Sequence, residues 1–87
     1  MAKKYEPKYF PKELEIQSMY ICNKNDLAYV IQPIQYTNKY KVIKFQISNR
    51  IEIHTYKENN IDIEFTEYDA LKKTMELYTL HSKRFNK

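Results

Sequence analysis

The absence of glycine constrains this chain of 87 residues more than any other feature. Glycine adopts positive backbone φ at little cost, so turns that need this conformation must be made by Asn, Asp or Lys. The predicted turn residues are Asn23, Asn25, Asn38, Asn49, Asn59 and Asn60. Glycine-rich phosphate loops and the dinucleotide fingerprint are excluded, because both need glycine where the backbone approaches phosphate.

Short apolar runs separated by polar linkers begin at Leu14, and this pattern is typical of an antiparallel meander. We predict strands at 14–22, 27–36, 40–47, 51–56 and 61–65, joined by linkers of hairpin length. Residues 1–12, which include Pro7 and Pro11, show no helical or alternating period. The sequence thus predicts an extended N-terminal arm (1–12) followed by a single domain (13–87).

An amphipathic helix is predicted to begin at Thr66, which has the residue type of an N-cap and is followed at the third helical position by Asp69. Its apolar stripe recurs at spacings of three and four and consists of Tyr68, Leu71, Met75, Tyr78, Ser82 and Phe85. The predicted fold class is therefore α+β, an antiparallel β-meander of four to five strands packed on one C-terminal α-helix.

Strand register follows from the assumed loops. Three-residue loops at 37–39 and 48–50 place Tyr36 opposite Tyr40 and Ile47 opposite Ile51. The predicted inner face is then Leu27, Tyr29, Ile31, Ile43, Phe45, Ile47, Ile51, Ile53, Ile61, Ile63 and Phe65. The predicted outer face of the first three strands holds Met19, Ile21, Val30, Ile34, Tyr36, Tyr40 and Val42, with Gln32, Lys44 and Gln46 between them. Because a sheet face in water normally alternates to polar residues, we expect this face to be covered by the aromatic N-terminal arm, a second copy of the chain, another protein or stacked bases.

The composition of the chain predicts an intracellular location. The single Cys22 cannot form an internal disulfide, and we find no secretory segment or apolar run long enough to span a bilayer. The expected location is intracellular (cytoplasmic, or the host cytoplasm or virion if a phage encodes it), with no membrane partner. Abundant Lys, Asn, Ile, Tyr and Phe are typical of AT-rich genomes, including those of phages and large viruses. The net charge of +4 is compatible with acidic partners or phosphates.

Catalytic and metal chemistry find little support in the sequence. Cys22, His54 and His81 lack the spacing of a zinc site, and Cys22 and His81 are interpreted as packing residues. His54 near Glu52 could transfer protons, but a surface cross-strand pair is the favoured interpretation. The acidic residues at 58–69 are explained by a strand and a helix N-terminus. We expect no enzyme activity, cofactor, metal or small-molecule substrate.

The favoured functional hypothesis is a small protein-binding module, for example a phage or viral accessory or assembly protein or an inhibitor of a host factor. Its partner would be another protein or a second copy of the chain. Apolar and Tyr-rich patches rimmed by Lys are typical of such interfaces. The candidate interface residues are Tyr5, Tyr9, Phe10, Met19, Ile21, Val30, Ile34, Tyr36, Tyr40, Val42 and Leu80.

The alternative hypothesis is binding of single-stranded DNA or RNA by tyrosine stacking and lysine contacts to phosphates. The candidate residues are Tyr36, Lys39, Tyr40, Lys41, Lys44, Tyr56 and Lys57. A meander followed by a helix is similar, in element order alone, to the sheet-plus-helix units of Whirly and PUR-type single-strand binders. That resemblance rests on no sequence motif and implies no particular residues.

Overall fold

The computed structural model describes residues 8–85, except for the side chains of residues 52 and 53. Its elements are α1 (Glu13–Lys24), β1 (Leu27–Pro33), β2 (Tyr40–Gln46), β3 (Glu52–Thr55), β4 (Lys57–Glu58), β5 (Ile61–Asp62) and α2 (Glu67–Phe85). Strands β1, β2 and β3 form an antiparallel sheet in that order, and β4 and β5 form a separate two-stranded sheet. The α+β class is confirmed, with a smaller sheet and one more helix than the sequence predicted.

The predicted first strand (14–22) is wrong, because this segment lies inside helix α1. Its apolar residues alternate in sequence and imitate a strand, but the buried positions Ser18 and Cys22 are four residues apart, as on a helix face. Glu15 accepts a hydrogen bond from the backbone N–H of Lys12 at 2.8 Å and so helps to start the helix. The described chain therefore begins with a helix, so its element order differs from the predicted meander followed by a single helix.

The pairing of β1 with β2 also differs from the prediction. Pro33 lies opposite Tyr40, and Ile34 donates its backbone N–H to the Lys39 carbonyl at 2.9 Å, so a longer loop joins the strands. The observed register differs from the predicted one by three residues. Because that number is odd, each β2 side chain moves to the opposite face relative to β1. Tyr40 and Val42 therefore belong to the face that the helices cover, and Ile43 and Phe45 to the other.

The pairing of β2 with β3 agrees with the prediction over its first part. Ile43 lies opposite Thr55 and Lys44 opposite His54, as the loop at 48–50 predicted. A bulge between Lys44 and Phe45 then shifts the register. Beyond β3, the chain turns back on itself in the β4–β5 hairpin, and Phe65 pairs with Tyr40 through a single bridge. The predicted fifth strand (61–65) is thus reduced to two residues and that bridge.

Among residues 8–85, five non-glycine residues adopt positive φ: Asp26, Tyr36, Arg50, Asn59 and Asn60. Asn59 and Asn60 were predicted, and together they give the β4–β5 turn the pattern of a type I′ hairpin. At the other turns the predicted asparagines Asn23, Asn25, Asn38 and Asn49 keep negative φ, and a neighbouring residue takes the left-handed conformation instead. The β4–β5 turn therefore uses the predicted residues, whereas the other turns use a neighbour of the predicted asparagine.

Helix α2 confirms the clearest sequence signal. Thr66 accepts a hydrogen bond from the Asp69 N–H at 3.2 Å, as expected of an N-cap. Met75, Tyr78 and Ser82 of the predicted stripe are buried, and Phe85 at its end is 39% exposed. No helix within the described residues is long and apolar enough to cross a membrane.

Both helices pack on the same face of the sheet and run in the same direction. Tyr9 joins the starts of the two helices, since its hydroxyl contacts Glu15 at 2.6 Å and its ring meets Tyr68 edge-on. Near the end of α1, the Cys22 thiol donates to the Tyr78 carbonyl at 3.4 Å. Small side chains let the helices approach closely. The core cluster is Cys22, Tyr29, Val42, Ala70, Met75 and Tyr78.

Candidate functional site

The sheet face turned away from the helices is defined by the observed register. Cross-strand partners share a face, and the Tyr29 ring meets the Tyr78 and His81 rings of α2, so Tyr29 marks the helix side. Its sequence neighbours and their partners mark the opposite side. We call this surface the outer sheet face, and it consists of Ala28, Val30, Gln32, Lys41, Ile43, Phe45 and Thr55.

The centre of the outer sheet face is apolar. Val30 is 43% exposed, Phe45 is half-buried, and Ile43 is almost enclosed by its neighbours. At one end, the Lys41 ammonium contacts Asp62 at 3.4 Å, and Lys57 approaches the same carboxylate at 3.8 Å. The arrangement combines an apolar centre with a charged rim whose opposite charges partly neutralise each other, a composition that suits contact with another protein.

The described part of the N-terminal arm does not lie on this face. Tyr9 docks beside the start of α2, and its bond to Glu15 raises the pKa of the Tyr9 phenol to about 12. Partial burial alone would raise the pKa of Glu15, but hydrogen bonds from Lys12 and Tyr9 lower it below its usual value. The arm from Lys8 to Lys12 thus belongs to the helix side of the molecule.

The structure separates the predicted interface residues. Of the eleven, Val30 alone, among those described, lies on the outer sheet face. Two that were predicted there, Tyr40 and Val42, lie on the helix side, where Val42 is 1% exposed and belongs to the core. The three-residue difference between the predicted and the observed β1–β2 register explains why both residues lie on the opposite face from the predicted one.

The remaining interface candidates lie elsewhere. Met19 and Ile21 are on α1, not on a strand, and Met19 packs against the core. Ile34 and the 95% exposed Tyr36 are in the β1–β2 loop, Leu80 is exposed on α2, and Phe10 is exposed in the arm. Tyr5 lies outside the described residues.

The predicted nucleic-acid residues do not form one platform either. Tyr36 and Lys39 are in the β1–β2 loop, Lys41 is on the outer sheet face, and Lys57 is paired with Asp62. Tyr40 is on the helix side, where its hydroxyl donates to Glu67 at 3.2 Å. The predicted set is therefore spread over several surfaces of the molecule.

Lys44 and Tyr56 also lie on the helix side, where they meet the two histidines of the chain. A cavity of about 100 Å³ between α2 and the strands is lined by Tyr29, Lys44, His54, Tyr56, Leu77 and His81. We call this the histidine groove. The sequence interpretation missed it because the register slip placed Lys44 and His54 on the outer face. Their cross-strand pairing was predicted correctly, so a correct β1–β2 loop length would have turned both toward α2.

Other candidate residues have structural roles. Cys22 is fully buried, and burial raises the pKa of its thiol, which confirms its interpretation as a core residue. A cavity of about 630 Å³ lies between Lys8, the β1–β2 loop and the start of α2, and carries mixed charges. Within residues 8–85, side chains of residues 52 and 53 apart, no group of three His, Cys, Asp or Glu residues could hold a metal ion.

Comparison with protein-family models, with curated proteins and with solved structures yields no match to this chain. The functional proposal therefore depends on the surfaces of the molecule itself.

Proposed function

We propose that this protein is a non-enzymatic protein-binding module and that the outer sheet face is its interface. The observation that carries the proposal is the apolar centre of that face, formed by Ala28, Val30, Ile43 and Phe45. Both helices occupy the opposite side of the sheet, so neither can cover these residues. A sheet with one side in water normally presents polar residues there, whereas the centre of this face is apolar and its polar residues, Gln32, Lys41 and Thr55, surround that centre.

The exposed apolar residues of α1 are a weaker candidate interface. Leu14 is 74% exposed and Tyr20 is 68% exposed. The helical positions place Leu14 with Ile21 on one flank and Tyr20 with Ile16 on the other, separated by Glu13, Gln17 and Lys24. Two apolar flanks divided by polar side chains do not form one continuous patch, whereas the apolar residues of the outer sheet face are cross-strand and diagonal neighbours.

The partner that we favour is a second copy of the chain. Two such sheets packed face to face would bury both apolar centres in a four-layer arrangement, with helices outermost and the sheets about 10 Å apart. The contact of Lys41 with Asp62 reduces the repulsion that two like-charged rims would otherwise exert. Three strands of up to seven residues give a face of only about 23 by 14 Å, so we expect a weak dimer.

Sedimentation velocity over a range of protein concentrations tests this proposal. We expect the wild-type protein to shift from monomer toward dimer as its concentration rises, and the Val30→Lys variant to remain monomeric. Tyr20→Lys is the matched control, because it introduces the same side chain at an exposed apolar position on α1 and should leave the dimer intact. Circular dichroism would check that each variant is folded.

Two results would contradict the proposal. A wild-type protein that stays monomeric up to millimolar concentration would show that the outer sheet face does not bind a second copy. A dimer that survives Val30→Lys but is lost in Tyr20→Lys would place the interface on α1.

A further inference from the structure

The histidine groove gathers basic side chains from three separate elements. Lys44 comes from β2, His54 from β3 and His81 from α2, and all three line the same cavity of about 100 Å³. Lys44 and His81 also line an adjoining cavity of about 260 Å³, together with Arg84 and Phe85. The two cavities therefore form one continuous strip along the C-terminal half of α2.

No carboxylate lines the histidine groove among the described side chains. Tyr29 from β1 and Tyr56, which follows β3, also line it, and the Tyr56 hydroxyl donates to the Glu58 carboxylate at 3.2 Å. In the adjoining cavity the acidic residue is Asp26, whose oxygens accept hydrogen bonds from the Ser48 backbone and hydroxyl at 2.7 Å. Nearby Lys73 is paired with Glu76 at 2.9 Å, outside the groove. The positive charge of Lys44 and Arg84 thus has no acidic partner within ion-pair distance in the described part of the chain.

The electrostatic effect of this arrangement is visible at His81. Burial and the nearby positive charges of Arg84 and Lys44 all lower the pKa of the imidazole. A protein that places like charges together without compensation offers a site for an anion, which would relieve their repulsion. A cavity of about 100 Å³ exceeds the roughly 30 Å³ that one water occupies in the liquid, so it has room for an ion of phosphate size.

Aromatic side chains lie at both ends of the strip, and they favour a nucleic acid over a free phosphate ion as the ligand. Tyr56 is half-buried at one end, where the Lys73 ammonium lies 5.3 Å from its ring centre, and Phe85 is 39% exposed at the other. Single-strand binding proteins combine such stacking surfaces with a basic track for the backbone. A free phosphate ion would use the basic residues alone.

We propose that the histidine groove binds a backbone phosphate of single-stranded nucleic acid, with Lys44, His54 and His81 facing the phosphate oxygens and Tyr56 stacking on an adjacent base. The groove lies on the helix side of the sheet. It therefore stands apart from the outer sheet face, and nucleic acid could bind whether or not the chain dimerises.

The proposal predicts that binding strengthens as the pH falls from 8 to 6. A bound phosphate favours the protonated form of His81, whose pKa is lowered in the free protein by burial and by the positive charges of Arg84 and Lys44, so binding is coupled to proton uptake. The groups that face the imidazoles are Tyr29 from β1, Lys44 from β2, Tyr56 after β3, Arg84 on α2, and Asp26, which precedes β1 and lines the adjoining cavity. A phosphodiester does not change charge between pH 6 and 8, so we assign the effect to the imidazole of His81.

Fluorescence anisotropy with a labelled single-stranded oligothymidylate at low salt is the test. We expect at least a fewfold gain in affinity from pH 8 to 6. Lys44→Gln and His54→Gln should each weaken binding at pH 6 by about tenfold, the factor that corresponds to losing one charge-assisted hydrogen bond. Lys72→Gln, which removes one charge from an exposed site on α2 outside the groove, is the matched control and should change affinity little.

Histidine NMR signals supply a second readout that does not depend on the variants. The oligonucleotide should shift the His54 and His81 resonances and raise the pKa of His81, and inorganic phosphate should do so only at much higher concentration. The proposal is overturned if the oligonucleotide does not bind at pH 6 in low salt. It is also overturned if Lys72→Gln weakens binding as much as Lys44→Gln, or if inorganic phosphate binds as tightly as the oligonucleotide, because the site would then be non-specific or selective for small anions.

Discussion

Tyr78 connects α2 to the free edge of the sheet through its side chain. Its hydroxyl accepts a hydrogen bond from the Tyr29 N–H at 2.8 Å and lies 3.2 Å from the Tyr29 carbonyl, to which it can donate. The two rings meet edge-on at 5.1 Å. Tyr29 is in the edge strand β1, so this hydroxyl satisfies backbone groups that another chain could otherwise pair with. Pro33 further reduces the ability of this edge to pair with another strand, because proline has no N–H to donate.

The Tyr78→Phe substitution should therefore destabilise the protein by about 1–3 kcal/mol, since it leaves a buried backbone N–H without its partner while the ring stays in place. Urea denaturation followed by circular dichroism would measure the free energy of unfolding. Tyr36→Phe is the control, because Tyr36 is 95% exposed and its hydroxyl loss should change nothing measurable. Equal stability of the two variants would show that the hydroxyl of Tyr78 makes no net contribution.

His81 gives a prediction about acid stability. Its pKa is lowered in the folded protein by burial and by Arg84 and Lys44, whereas in the unfolded chain the imidazole takes up a proton near pH 6.5. The unfolded state then binds more protons below that pH, so the contribution of His81 to stability is present above pH 6.5 and falls as the pH decreases.

An NMR titration would place the His81 midpoint below 6.5, and Lys44→Gln should raise it toward that value because one repelling charge is removed. Lys72→Gln, which removes a more distant charge, should leave the midpoint unchanged. A wild-type midpoint above 6.5 would contradict this description of the site.

The hairpin turns show how secondary-structure elements are joined without glycine. Arg50 has φ of 53° and ends the β2–β3 turn, where its N–H bonds to the Gln46 carbonyl at 2.9 Å. A side chain with a Cβ adopts this left-handed conformation at a cost of about 1–2 kcal/mol, which glycine avoids. Several turns of this protein contain such a residue with positive φ. Each of these positions is a site where substitution by glycine could increase stability.

Arg50→Gly should accordingly raise the free energy of unfolding by about 0.5–1 kcal/mol. The substitution removes the conformational cost of the left-handed backbone, but the greater freedom of glycine in the unfolded chain offsets part of this gain. Arg50→Ala is the control, because it removes the same long side chain but keeps the Cβ, and it should give no such gain. Thermal denaturation of the two variants would decide between a backbone effect and loss of the arginine charge.

Helix α1 shows why local pattern alone misassigned an element. Leu14, Ile16 and Tyr20 are 74%, 47% and 68% exposed, and they produced the alternation that predicted a strand. The residues that α1 buries include Ser18 and Cys22, which are small and carry little hydrophobic signal. Their small size matters only once α2 packs beside α1, where Cys22 donates to the Tyr78 carbonyl and shares a core cluster with the fully buried Ala70. Packing between helices therefore decided the conformation of this segment.

At the scale of the whole molecule, three tyrosines link protonation to folding. The pKa of Tyr9 is raised to about 12 by its bond to Glu15, and that of Tyr29 to about 12 by burial. Burial also raises the pKa of Tyr78. Unfolding exposes these phenols, which then ionise near pH 10, so the folded state holds protons that the unfolded state has released.

The free energy of unfolding should therefore decrease as the pH rises from 10 toward 12, with a slope of about 1.4 kcal/mol per pH unit for each proton retained by the folded state. Urea denaturation at several alkaline pH values would measure the slope, and tyrosinate absorbance would report the late ionisation. Tyr9→Phe should make the slope shallower, whereas Tyr36→Phe should not. An alkaline stability that is independent of pH would contradict the assigned environments.

The sequence by itself determined helix α2, its Thr66 cap, the positions of the β2–β3 and β4–β5 turns, and the α+β class. These depend on local signals: a cap residue, a repeat of three and four, and polar linkers between apolar runs. The tertiary structure decided which sheet face is covered, because the β1–β2 loop length that sets the face of Tyr40 and Val42 has no strong local signal in a chain without glycine. It also decided that Lys44, His54 and His81 meet, because that requires β2, β3 and α2 to be packed together.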